Sequence, residues 1–121
     1  MDLCCGTMAN SIPLTRSKRN IEVPGIDLSR QMLQVAKQRA KNGNLSNISM
    51  KCADATNTNM KADCADYIIL GLALHEMKPE LQKRVLAEAH RLLKADGSLI
   101  VLEWEKRKPE RVNARSGYDI A

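Results

Sequence analysis

Chemistry in this chain is concentrated where apolar runs stop: at Gly6 with Thr7, at Asp27, at Asp54, and along the stretch from Gly71 to His75. A turn at Gly6 lets backbone approach a ligand closely, and the N–H groups after it can hold an anion. Asp27 follows about 20 residues later, where an acid at the end of a second strand is the usual partner of two ribose hydroxyls. The first loop has one glycine and no lysine, so it suits a ligand with little phosphate. His75 is the best candidate base, because imidazoles exchange protons near neutral pH. Each residue also has a plainer reading when taken singly. Asp27 or Asp54 can cap a turn, and His75 can cap its own loop or order Glu76. Their joint placement at consecutive strand ends is what points to a nucleotide-like ligand.

Such a site needs an alternating framework of strands and helices, and the sequence provides one. Residues 1–5 read as a strand entering the turn at Gly6, and a short weak helix is expected over 13–20. Residues 22–26 form a second strand ending at Asp27. Ser29 is a good N-cap for a helix over 30–42, with Leu28 and Leu33 as a hydrophobic staple and Gly43 as a left-handed stop. The expected inner stripe of that helix is Met32, Leu33, Val35, Ala36 and Ala40. Residues 48–52 give a third strand, and 65–72 a fourth whose near-continuous apolar character implies cover on both faces. A long helix over 79–94 opens on Pro79, buries Leu81, Val85, Ala89 and Leu92, and leaves His90 in solvent. Gly97 then precedes a fifth strand over 98–103. This order predicts an α/β fold: a Rossmann-like, mostly parallel sheet of about five strands with flanking helices and right-handed crossovers. Residues 1–104 are expected to form the core, and 105–121 a charged tail without periodicity.

Composition narrows the functions available. The chain has 121 residues, enough for one domain, and 44% of them are hydrophobic. With one tryptophan, two tyrosines and no phenylalanine, it lacks the flat side chains of a nucleic-acid stacking platform. A net charge of +5 favours anionic partners without being a nucleic-acid signature, so no nucleic acid is expected. The four cysteines Cys4, Cys5, Cys52 and Cys64 form no CxxC pair, so neither a metal site nor disulfides are expected, and the thiols are read as small apolar groups. Cys4 and Cys5 would point to opposite faces of a strand. No apolar stretch reaches membrane-spanning length, so a soluble, cytoplasmic domain is expected.

At this point the motifs resemble a known family. Asp2-Leu3-Cys4-Cys5-Gly6-Thr7 resembles the first motif of class I S-adenosylmethionine-dependent methyltransferases, in the form seen in quinone-biosynthesis and related small-molecule enzymes. Gly25-Ile26-Asp27-Leu28-Ser29, followed by Met32-Leu33 and Ala36, is similar to their second motif. Asp54-Ala55 resembles the end of their third strand, Ala73-Leu74-His75-Glu76 lies where they carry a substrate-facing loop, and residues 91–99 resemble the approach to their fifth strand. The resemblance implies S-adenosylmethionine as cofactor and methyl transfer to a small-molecule acceptor. It implies that Asp2 sits near the methionine amino group and that Gly6 and Thr7 line the loop. Asp27 would take the ribose hydroxyls, and Leu28 or Met32 would cover the adenine. Asp54 would accept from the adenine amino group beside Ala55, and Leu70 and Gly71 would offer backbone to the methionine moiety.

The departures from the family pattern are equally specific. Met8 stands where the family usually has glycine, and its bulk is expected to narrow the loop. The family also has a helix before the first strand, and a helix and two strands after the fifth, which this chain lacks. The expectation is a truncated or reduced relative that self-associates through an exposed sheet edge. The rival readings are a catalytically inactive cofactor-binding or interaction module, and an unrelated dehydrogenase-like domain. The absence of a full GxGxxG counts against the latter.

Overall fold

The computed structural model describes residues 1–103 and two further short strands, Lys106–Arg107 and Tyr118–Asp119. Its elements are β1 (Asp2–Leu3), α1 (Ser11–Ser17), β2 (Val23–Asp27), α2 (Arg30–Asn42), β3 (Ile48–Cys52), β4 (Ala65–Gly71), a 3₁₀ turn (Leu74–Glu76), α3 (Pro79–Leu92), β5 (Leu93–Leu102), β6 (Lys106–Arg107) and β7 (Tyr118–Asp119). The first five strands form one parallel sheet in the order β3-β2-β1-β4-β5. Strand order reverses beside β1, which places the crevice between the ends of β1 and β4. The fold is the expected Rossmann-like α/β architecture. Within the segment expected to be a tail, β6 and β7 pair antiparallel, and the rest lies outside the described residues.

Period-two alternation sends side chains to two cores. Leu3, Ile26, Ile68 and Leu70 pack under α3 with Val85, Ala89 and Leu92. Cys5 and Val23 pack on the other face with Ile12 of α1 and Leu33, Ala36 and Ala40 of α2. At roughly 1.5–3 kcal/mol per fully buried aliphatic side chain, these two layers dominate the stability of the sheet.

Several local expectations need correction. β1 is only two residues long, because Cys4 turns out of the strand at φ 55°. Cys5 then packs inward, so the two thiols do not alternate on a strand. α1 begins at Ser11, two residues before the expected start, and ends at Ser17. Pro13 is tolerated there because the first-turn amides have no helical partner to lose. Gly43 is not the left-handed stop: it has φ −88°, and Asn44 takes the left-handed conformation at φ 51°. Met32 and Val35 are exposed, which leaves Leu33, Ala36 and Ala40 as the inner stripe. Leu28 is 67% exposed and so cannot staple the buried Leu33. Leu81 is also exposed, while Glu88 of the same helix is buried. Cys52 and Cys64 are exposed rather than packed as apolar groups.

The end of α3 is decided by the sheet. Leu93 leaves the helix to pair with Ala65, and Ser98–Leu102 then pair with Tyr67–Gly71. Lys94–Gly97 protrude between these two contacts. The fifth strand therefore begins five residues before the expected 98.

Candidate functional site at the carboxyl ends of the strands

The carboxyl end of β2 presents Asp27, and both of its oxygens organise the site. Oδ2 accepts the Gly6 N–H at 2.8 Å, and Oδ1 accepts the Ser29 N–H at 2.8 Å. One half-buried carboxylate thus ties the β1 loop to the start of α2, whose next donor, Met32 N–H, is capped by Ser29 Oγ at 3.2 Å. Gly6 is required here: it has φ 53°, and a side chain would meet Met32 Sδ at 3.4 Å. Each carboxylate oxygen can accept further bonds on the solvent side. Flanking Asp27, Leu28 is 67% and Met32 49% exposed, leaving apolar surface open beside the carboxylate.

Thr7 is held from α2, where Arg39 Nη1 donates to its Oγ1 at 3.2 Å. Met8 adopts φ 59° and is fully buried. Its side chain fills the space that Gly25 leaves beneath the loop, among Cys5, Ile12 and Leu33. The expectation that Met8 narrows the loop is therefore corrected, since the left-handed backbone directs the thioether into the core. We expect Met8→Gly to relieve about 1 kcal/mol of backbone strain but to lose more from the core, for a net destabilisation of about 2 kcal/mol in urea unfolding. A more stable variant would show that strain outweighs packing.

Asp2 is sealed. It is 1% exposed and accepts Ser11 Oγ at 2.6 Å, and burial pushes its carboxyl above the usual range. Burial likewise pushes the Cys4 thiol up to about 11 and the Cys5 thiol up to about 12, so neither is an activated nucleophile. Asp54 is exposed and closes a turn: its Oδ1 accepts Thr56 N–H at 2.8 Å and Thr56 Oγ1 at 2.7 Å. These bonds, the backbone one foremost, hold the Asp54 carboxyl below its usual range. The turn uses only Oδ1, and Oδ2 takes neither bond. Ala55 beside it is buried in the α3-side core.

Two contacts escaped sequence reasoning. Glu88 accepts Thr58 N–H at 2.8 Å, Thr58 Oγ1 at 2.7 Å, and Arg91 Nε and Nη2 at 2.6 and 2.9 Å. Arg91 also donates to Met60 O at 2.7 Å, so α3 fixes the irregular segment that follows Asp54. The second is Asn10, whose amide occupies the place where a side chain at Gly71 would stand. It sits beside the end of β4, where Leu70 is buried. No periodicity marks Asn10, and Glu88 reads as an ordinary helix-surface acid. His75 lies in the 3₁₀ turn, its Nδ1 2.9 Å from Glu103 Oε2. Among the described residues no group of three or more His, Cys, Asp or Glu is placed to hold a metal ion, and no helix is long and apolar enough to cross a membrane.

A parallel sheet in this order, with an acid closing β2 over a glycine turn at β1, fits a class I S-adenosylmethionine-dependent methyltransferase domain. The chain belongs to that family: residues 1–97 match the family described as methyltransferase domain. It is 32% identical over 119 residues to the demethylmenaquinone methyltransferase of Bacillus subtilis (strain 168), covering 98% of this chain and 49% of that protein. Among solved structures it resembles the PH0226 protein from Pyrococcus horikoshii OT3, with TM-score 0.75 and 30% identity, over 83% of this chain and 46% of that one. It also resembles the [4+2]-cyclase SpnF, with TM-score 0.76 and 28% identity, over 84% of this chain and 37% of that one. The chain spans about half the length of the curated relatives it matches.

Proposed function

We propose that this chain binds S-adenosylmethionine at the ends of β1, β2 and β3 and serves methyl transfer to a small apolar or aromatic acceptor. The observation that carries the reading is Asp27, half-buried, bonded to the Gly6 loop and flanked by exposed Leu28 and Met32. That surround fits the group: a carboxylate for a ribose diol, apolar side chains for a purine face, and Asp54 Oδ2 for an exocyclic amine. Gly6, Thr7, Leu70 and Gly71 would line the methionine end, with Asp2 behind Ser11 supporting the loop. When bound, the cofactor supplies an electrophilic methyl group on a sulfonium. The chain's contribution is mainly positioning, since in-line displacement depends on alignment of the reacting atoms. His75 is the base for an acceptor that must lose a proton. The name of the Bacillus subtilis relative supports a quinone-like acceptor.

Calorimetric titration of S-adenosylmethionine into the chain tests the reading, with micromolar binding expected and no competition by NAD. Absence of binding would sink it. Gly71→Ala offers a sharper check. Its new methyl displaces only the exposed Asn10 amide, so thermal stability should change little. Cofactor affinity should fall about tenfold, because the crevice narrows.

A second reading is that the domain binds the cofactor without transferring its methyl, and the likeness to the [4+2]-cyclase SpnF favours it. Binding without turnover of any acceptor would mark it. The edge strand adds a further proposal. Ile100, Val101 and Leu102 of β5 are each more than two-fifths exposed, and among the described residues no strand pairs with their outer edge. Self-association through this edge predicts a concentration-dependent dimer by sedimentation, shifted to monomer by Val101→Lys. A parent that stays monomeric would refute it.

A further inference from the structure

We infer that Glu103 is a positioning residue that fixes the tautomer of His75, leaving Nε2 as the proton acceptor for an acceptor substrate bearing an ionisable hydroxyl. The inference rests on the methyltransferase reading for its reaction, but its geometry stands separately. β4 and β5 are adjacent parallel strands, so the 3₁₀ turn after one and Glu103 after the other meet at the same end of the sheet as Asp27. There the Glu103 carboxylate holds His75 twice. Oε1 accepts its backbone N–H at 3.3 Å, and Oε2 lies 2.9 Å from ring Nδ1. A carboxylate only accepts, so a neutral imidazole beside it must carry its proton on Nδ1. Nε2 is then left with a lone pair. Its nearest anionic group, Glu76 Oε1, is 3.7 Å away, beyond hydrogen-bonding distance. The His75 side chain is 37% exposed, so Nε2 is reachable, while that of Glu103 is 19% exposed and partly shielded.

The turn does not need this ring contact for its shape. Gln82 Nε2 donates to Leu74 O at 2.7 Å and to Met77 O at 3.1 Å, clamping both sides of the turn from α3. Glu103 therefore adds ring orientation to a loop already held. In the step it serves, the acceptor hydroxyl gives its proton to Nε2 and an acceptor electron pair forms the new bond to the methyl carbon. The carbon–sulfur pair stays on sulfur, yielding a neutral thioether and an imidazolium balanced by Glu103. This requirement selects hydroxyl-bearing acceptors, such as a hydroquinone, over an oxidised quinone with no proton to lose.

Glu103→Gln separates this role from a structural one. Glutamine keeps an acceptor for the His75 backbone and nearly the same shape, but it can offer an N–H to Nδ1 and so favours the opposite tautomer. At mildly alkaline pH, nitrogen-15 spectra of the His75 ring should show Nδ1–H in the parent and Nε2–H in the variant, with the melting temperature nearly unchanged. With dihydroxynaphthalene as probe, kcat should fall about 100-fold and KM little. His75→Ala should lose as much, and the double variant no more. An Nε2–H ring in the parent, or equal turnover by parent and E103Q, overturns the inference. The spectra need no cofactor, so failure of the tautomer and failure of cofactor binding are separate results.

Discussion

Replacing Glu88 with alanine is expected to lower the unfolding free energy by about 3 kcal/mol, the largest effect of any single polar substitution here. The carboxylate is 7% exposed and receives both donors of Thr58, itself fully buried, together with two from Arg91. Alanine would leave the Thr58 donors without partners and free the segment carrying Asp54. Glu88→Gln keeps an acceptor and should lose less. The pH dependence has a definite sign. Hydrogen bonds from Arg91 first, and then from Thr58, hold the Glu88 carboxyl at about 2, against an ordinary value of 4.5. Its contribution is therefore complete above about pH 4.5 and is lost as pH falls toward 2, amounting to about 3 kcal/mol over that window. Asp2 acts in the opposite sense: its raised carboxyl favours the folded state when protonated, so it offsets part of the acid loss. Urea unfolding at neutral pH and near pH 3 should show a steeper acid loss in the parent than in Glu88→Gln. Equal acid sensitivity would mean that the cluster does not set acid stability.

The second large effect is expected at Asp27. Asp27→Ala should weaken S-adenosylmethionine binding by at least 100-fold, because two charge-assisted bonds to the ribose would be lost. It should also cost about 1 kcal/mol of stability, since the Gly6 and Ser29 amides lose their acceptor. Asp27→Asn retains one acceptor oxygen and one loop contact, so an intermediate loss of about tenfold is expected. Calorimetry of the three proteins, each first shown folded by circular dichroism, measures the effect. Unchanged affinity in folded Asp27→Ala would place the ribose elsewhere and remove the main support for the proposed site.

Strand and helix order was legible because each element carries its own period. Val23–Asp27 and Ile48–Cys52 were located to within a residue, and α2 from Arg30 to Asn42 follows from the Ser29 cap and the Leu33, Ala36 and Ala40 spacing. Asp27 was legible as a candidate because a strand end and an acid coincide in sequence. What lay outside local sequence depended on partners far along the chain. Leu93 leaves α3 because Ala65 pairs with it, which no helix propensity records. Glu88 is buried because Thr58, thirty residues earlier, presents two donors to it. Met8 looked obstructive because its bulk is visible in the sequence and its backbone angle is not. A φ of 59° turns the side chain away from the loop and into the core. His75 could be named from its position, but its orientation belongs to Glu103, brought across by the pairing of β4 with β5. Periodicity and caps are local free energies, so the sequence by itself determined the elements and the acids at their ends. Burial, tautomer and the direction of a side chain are settled by contacts between distant residues, and only the tertiary structure decided them.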